Sequence, residues 1–458
     1  MRHLQNANEC KSLFSSAILT QCPAYQSPYL HFSLEIVTTP HDDLSFQQEW
    51  FRNLAEKKTT RSGKGFFPAK PKPSPMNIRT LDRKITELQL DGYLLYAASS
   101  QDANLYYLTA FLAEEPFLFL RAGGQSLLVV SSMESARAIR SSTADRVRSR
   151  EEFQKDSHEL EGYRATVDLF VSVLKEYHIK HLGVDATFPI IFADALRSEG
   201  YELHPVSGSI ERLRSIKTAR ELGHMTTVQR ASEKAFDSAL AILRRSDIIG
   251  DTLRYDGQVL TSERLKATIG CSLTNDACTS NDVIASSGYD SALPHLTGSG
   301  PIQAHSAIVL DIFPQSIESR YHADMSRTVL RGDAPHELAE MFTAVQEAQE
   351  LAIQRIRPGI SGAEVHLTVA DHFEESGFHT DLKKGSGFIH ATGHGLGLEV
   401  HELPFLSKRG GVLAKGNVVT VEPGLYYPNV GGVRLEDAVV ITHNGNRNIT
   451  QVKKEFVI

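Results

Sequence analysis

The stretch HATGHGLGLEVHE, residues 390–402, decides how the rest of this chain is read. It sets His390, His394 and His401 among Gly393, Gly395 and Gly397, within thirteen positions. His401-Glu402 begins like the HExxH of zinc proteases, but Phe405 stands where the second histidine should be. Pro404 would also break the helix that puts those two ligands on one face. The reason for three crowded imidazoles on a nearly bare backbone therefore has to come from other segments.

Composition narrows the field first. The 458 residues suit two or three domains. With 41% hydrophobic and 22% charged residues, the chain reads as an ordinary soluble globular protein. A net charge of −7 and a pI near 6.3 argue against nucleic acid as a partner and give no reason to invoke a membrane surface. No apolar run approaches the ~18 residues a membrane span needs. Cys10, Cys22, Cys271 and Cys278 form no CxxC and are too few for a disulfide scaffold, so they read as reduced thiols in a cytoplasmic protein. The short apolar piece LFSSAIL near the start is too weak for a signal peptide.

Residues 1–75 differ in character from the rest of the chain. RNLAEKKTTRSGKGFFPAKPKPSP carries seven Lys or Arg against one Glu, then a run of prolines. Such a segment buries too little apolar surface to offset chain entropy and reads as a flexible or extraneous extension. A normal domain start comes at Met76. From 76 to 216, strand candidates at 92–98, 116–122, 126–132 and 180–185 alternate with helical runs such as 163–179, which predicts an α/β domain. None of its strands is followed by a glycine-rich phosphate loop. A long helix is expected over 218–244, and 217–458 then turns to glycine-punctuated β segments with helices near 335–356 and 361–376.

Four segments of this second half carry acids or histidine on short strands. AIVLDIF places Asp311 inside a β-branched run, with Val309, Asp311 and Phe313 alternating onto one face. YHADMSRTV carries Asp324 on the next strand of an expected hairpin. The histidine cluster is third. VVTVEPGLYY ends a strand with Glu422, and GVRLEDAVVIT comes next with Glu436, which shares a face with Arg434. A buried carboxylate is costly unless paired or bound to a cation. Two Asp, two Glu and one His match the oxygen-rich ligand set of a two-metal site for Mn²⁺-like ions.

The order Asp311, Asp324, His394, Glu422, Glu436 resembles the ligand series of the pita-bread metallopeptidases, which include methionine aminopeptidase, prolidase and aminopeptidase P. The words DMSRTV, GHGLGLEVHE, VEPGLY and RLED are similar too, and the likeness covers about residues 85–458. The preceding α/β domain and the junction RLRSIKTARELGHM resemble the prolidase, aminopeptidase P and creatinase branch. The resemblance implies a creatinase-like α/β domain followed by an α+β pita-bread catalytic domain. It also implies a metal-dependent Xaa-Pro peptidase working through a water activated by two divalent ions, with Mn²⁺ favoured over Co²⁺ or Zn²⁺. Asp311 would bind one ion, Asp324 and Glu436 would bridge both, and His394 with Glu422 would complete the other.

By the same likeness His295, His401 and Glu422 are catalytic, with Glu422 shuttling a proton, while His390 and Arg434 lie on the substrate side. Tyr426 is read as packing. The glycines are expected to let the backbone approach metal and peptide without a Cβ in the way. The partner implied is a proline-containing peptide, and a homodimer is expected from the family alone. The fourteen-residue gap between Glu422 and Glu436 points towards a dipeptidase rather than an aminopeptidase. The two aspartates stand thirteen positions apart, two more than the resemblance implies, so PQSIESRYH should carry a longer turn without displacing either ligand. A creatinase-like C–N hydrolase and a non-catalytic binding protein on the same fold are the alternatives. Intact ligands weigh against both.

Overall fold

A computed structural model of the chain describes residues 78–154 and 162–458. The extension expected over 1–75 lies outside the described residues. The first half is built on a six-stranded sheet whose spatial order is Arg146–Ser149, Gln125–Val130, Phe117–Ala122, Gly92–Ala97, His181–Val184 and Glu202–Pro205. The strand Gly92–Ala97 is its centre, antiparallel to Phe117–Ala122 and parallel to His181–Val184. Strand alternation splits its side chains between two cores. Leu94 faces helices Gly162–Glu176 and Ile190–Ser198 together with Leu120, Phe170 and Leu196. Tyr93 and Leu95 face the opposite layer, with Leu81, Leu105, Ala138 and Leu213. Every strand expected from the sequence in this half forms, which is the α/β domain anticipated.

Helix Ala219–Arg245 opens the second half, capped by Thr218 and Glu221 in a reciprocal box. Two antiparallel sheets come after it, each with its own helix pair. Strands Ile284–Ser287, Ile308–Asp311 and Ser326–Val329 form the first, backed by Ala219–Arg245 and Ser262–Asn275 through Phe236, Leu265, Ile269 and Leu310. The second runs in the order Glu402–Leu406, Gly393–Gly395, Val418–Val421, Asp437–Ile441 and Asn446–Asn448. Helices His336–Arg355 and Gly362–Glu375 cover it through Val345, Ala348, Val369, Val419 and Val439. A hairpin, Gly424–Tyr427 with Gly431–Arg434, returns the chain towards the first sheet. Among the described residues no helix is long and apolar enough to cross a membrane.

The acid-bearing strands differ from the sequence reading in two places. Register puts Asp311 opposite both Ile284 and Ser326, but Asp324 precedes its strand by two residues, in irregular backbone. The residues between Asp311 and Asp324 do form a turn: Ser316 and Tyr321 close it by a backbone bond, and Gln315 bridges to His322. Arg434 and Glu436 do not share one strand, because Leu435 and Glu436 form the joint between Gly431–Arg434 and Asp437–Ile441. The residues from Glu402 onward form a strand and not a helix, which disposes of the HExxH geometry.

Candidate metal centre

A cavity of about 550 Å³ opens between the two sheets of the second half. Asp311, Asp324, His394, Glu422 and Glu436 line it, and so do His295, His390, His401 and Arg434. All the residues singled out from distant segments therefore reach one space. Asp324, His394 and Glu436 each offer a donor atom within 4.8 Å of the others. His394 Nε2 lies 3.2 Å from Glu422 Oε1 and 3.7 Å from Asp324 Oδ2. Asp324, Glu436 and His394 are at most 7% exposed.

The donor set suits divalent cations. Burial pushes the carboxyls of Asp324 and Glu436 well above their usual range, and the neighbouring carboxylates add to it: Glu436, Asp311 and Glu422 for the first, Glu422 and Asp311 for the second. Like charges crowded in a buried space resist ionisation, and a bound cation removes that resistance. Burial also opposes the charged forms of Glu422 and His394, but their mutual hydrogen bond wins, lowering the carboxyl and raising the imidazole. His394 Nδ1 donates to the Gly395 carbonyl at 3.1 Å, which turns Nε2 towards the acids, where a bound cation would replace the proton that Nε2 shares with Glu422. Asp311 Oδ2 accepts from Arg434 at 2.7 Å, while its buried Oδ1 has no hydrogen-bond partner. A buried carboxylate oxygen left this way is what a cation would satisfy.

Arg434 is built into the wall. Its Nε donates to Ser326 Oγ at 2.9 Å, and Nη1 donates to Tyr426 Oη at 3.0 Å and to the Pro294 carbonyl at 3.3 Å. Tyr426 in turn donates to His390 Nε2 at 3.0 Å, since His390 Nδ1 gives its hydrogen to the Ala391 carbonyl. A relay thus runs Asp311, Arg434, Tyr426, His390. Tyr426 is fully buried and is a hydrogen-bonding member of the site, which corrects its reading as packing. His295 and His401 are exposed at the cavity, and neither imidazole makes a hydrogen bond to a described residue. The His401 ring stands edge-on to that of His394, 4.3 Å between centroids.

The glycines serve a different purpose from the one expected. A Cβ on Gly393 would collide with the Thr420 carbonyl, and one on Gly395 with the Leu403 carbonyl. At Gly397 it would meet the Glu402 carboxylate. They make room for neighbouring strands and one buried acid, and Gly393 also lines the cavity.

Known proteins bear on this geometry. Residues 223–443 match the model described as Metallopeptidase family M24, and residues 78–216 match the Creatinase/Prolidase N-terminal domain. The uncharacterised peptidase YqhT of Bacillus subtilis strain 168 is 31% identical over 395 residues, spanning 84% of this chain and 100% of that one. The chain belongs to metallopeptidase family M24. A Xaa-Pro dipeptidase of Pyrococcus horikoshii is 28% identical over 381 residues, 82% of this chain and 98% of its own. The solved Xaa-Pro dipeptidase from Bacillus anthracis overlays with a TM-score of 0.70 at 27% identity, covering 83% of this chain and 99% of that one. This M24 enzyme has the creatinase-like domain followed by the pita-bread catalytic domain, and its family implies divalent metal ions.

Sequence reasoning misses the residues that support the M24 site. Thr420 Oγ1 accepts from the His394 backbone N–H at 3.1 Å and donates to Glu422 Oε1 at 3.2 Å. Its place two residues before Glu422, on the same strand face, was the available signal. Ser326 donates to Glu436 Oε2 at 3.0 Å, and fully buried Arg327 donates to the Glu436 carbonyl and to Asp437. Both stand inside DMSRTV, close to the candidate ligand Asp324.

Proposed function

We propose that this metallopeptidase is a Xaa-Pro peptidase, cleaving the bond before proline in dipeptides or at peptide N-termini. The observation that carries the reading is the meeting of five expected ligands and two free histidines around one cavity. Asp311, Asp324, His394, Glu422 and Glu436 would hold two divalent ions, with Mn²⁺ favoured. When bound, such ions supply Lewis acidity and lower the pKa of water towards neutrality.

The chain's own residues do the rest. The Asp311–Arg434–Tyr426–His390 relay fixes the wall against which the peptide lies. Glu422, fixed by Thr420 and His394, has a carboxylate able to take a proton and return it to the leaving nitrogen. His295 and His401 have ring nitrogens free to donate to the substrate carbonyl, whose oxygen gains charge on attack. One such donor contributes about 3–4 kcal/mol to the barrier in known sites. Specificity for proline is supported by the Xaa-Pro dipeptidase names of the two relatives. The division at 76–216 and 217–458 belongs to the same proposal. So do a cytoplasmic location, favoured by free thiols at Cys271 and Cys278, and a homodimer, which rests on the family alone.

The test is a panel of Xaa-Pro dipeptides, Xaa-Pro-Yaa tripeptides and matched peptides lacking proline, with added Mn²⁺. Cleavage confined to bonds before proline is expected, and cleavage of dipeptides alone makes the enzyme a dipeptidase. No cleavage of any Xaa-Pro bond with Mn²⁺ or Co²⁺ sinks the proposal.

A further inference from the structure

We infer that Arg214 and Lys217, from the junction between the two halves, position His401 by gripping the adjacent Glu402. Glu402 does not line the cavity, is 6% exposed, and has no part in the chemistry of the peptidase reading. One carboxylate oxygen accepts from Lys217 Nζ and the other from Arg214 Nη2, the latter at 2.6 Å. Arg214 Nη2 also reaches Glu399 at 2.6 Å, so two buried cations face two acids that bracket Val400 and His401 in sequence.

The grip has anchors at both ends. Arg214 Nη1 donates to Asn104 Oδ1 at 2.8 Å, and Asn104 Nδ2 donates to Asp185 at 3.0 Å, inside the first half. The Lys217 backbone N–H bonds the Gly416 carbonyl, and Asn417 Nδ2 donates to the Ser215 carbonyl, which ties the junction to the second half. The loop itself closes over the carboxylate, because Gly397 packs where a Cβ would strike Glu402. His401 has nothing comparable: its ring makes no hydrogen bond to a described residue, and its backbone leads directly into Glu402. Apart from its edge-on contact with the His394 ring, His401 is held only through its backbone, so the four charges beside it fix where that imidazole points, because a paired and fully hydrogen-bonded acid tolerates little displacement. Glu402 is a positioning residue in this account, as are Arg214 and Lys217.

The inference rests on the peptidase reading, and a double-mutant cycle separates the two. Glu402→Gln, Glu399→Gln, Lys217→Met and Lys217→Arg are made in the wild type and in His401→Ala. kcat, KM, bound metal and Tm are measured on the best Xaa-Pro substrate. In the wild-type background Glu402→Gln should lower kcat about tenfold, as misplacement of a catalytic group does, with KM and metal content nearly unchanged. Glu399→Gln, on a half-exposed acid, should cost less, and Lys217→Arg should restore most of what Lys217→Met loses. In the His401→Ala background these kcat losses should vanish while the Tm losses remain. Equal kcat losses in both backgrounds, or none in either, overturn the inference. Should Glu402→Gln fail to fold, the Glu399 and Lys217 variants decide the same question. A wild type that cleaves no Xaa-Pro bond removes the peptidase reading and this inference with it.

Discussion

Asp324→Asn should change the sign of its effect on stability with metal. The donor atoms of Asp324, His394 and Glu436 lie within 4.8 Å of one another. Two unit negative charges about 5 Å apart repel by about 3 kcal/mol at an effective dielectric of about 20. The Asp324 carboxyl is pushed well above its usual range by burial and then by Glu436, Asp311 and Glu422. Metal-free wild type therefore escapes part of that repulsion by binding a proton, and the variant should gain about 1–2 kcal/mol over it at neutral pH. Mn²⁺ at a hundredfold excess over its dissociation constant stabilises the wild type by about 2.7 kcal/mol for each site filled. The variant, lacking one ligand, should gain little. For a chain of this length each kcal/mol moves Tm by roughly 1–2 °C. Thermal unfolding in EDTA should place Asp324→Asn about 1–4 °C above the wild type, and unfolding in Mn²⁺ with both sites filled should reverse the order by about 3 °C or more. A variant less stable than wild type in EDTA, or one that gains as much from Mn²⁺, would refute the argument that charge crowding marks a cation site.

The buried network leads to two more expected outcomes. Tyr426→Phe leaves an Arg434 N–H and His390 Nε2 unsatisfied, which should cost about 1–3 kcal/mol in urea unfolding. An unchanged urea midpoint would return Tyr426 to a packing role. Burial raises the Asp437 carboxyl, but Arg327 and Lys454 more than offset it and hold it below the ordinary aspartate value. Its contribution is then present above about pH 4 and lost as pH falls through the depressed folded value. Asp437→Asn should lower stability by about 3–5 kcal/mol at pH 7, and the gap to wild type should narrow by about 1 kcal/mol by pH 3. A gap that stays constant across that range would contradict the assignment.

The candidate ligands are legible because each breaks a local rule: Asp311 sits in IVLDIF, and Glu422 closes VVTV, where an ionised acid has no local excuse. Such conflicts appear within a few residues and survive without coordinates. Tyr426 is not legible. Its hydroxyl matters because Arg434 and His390 arrive from eight and thirty-six residues away. Glu402 stands out only as half of a failed zinc motif, since its partners Arg214 and Lys217 stand more than 180 residues earlier.

The strands, the long helix and the acids and histidine that could bind metal are set by the chain's own order, because alternation, helical periodicity and charges stranded among apolar residues act over short distances. Tertiary structure alone decided what the glycines make room for, which imidazoles stay free, and where Arg434 and Arg214 spend their hydrogen bonds. Those depend on carbonyls and carboxylates carried in by remote segments, and excluded volume and hydrogen-bond satisfaction are properties of the assembled interior.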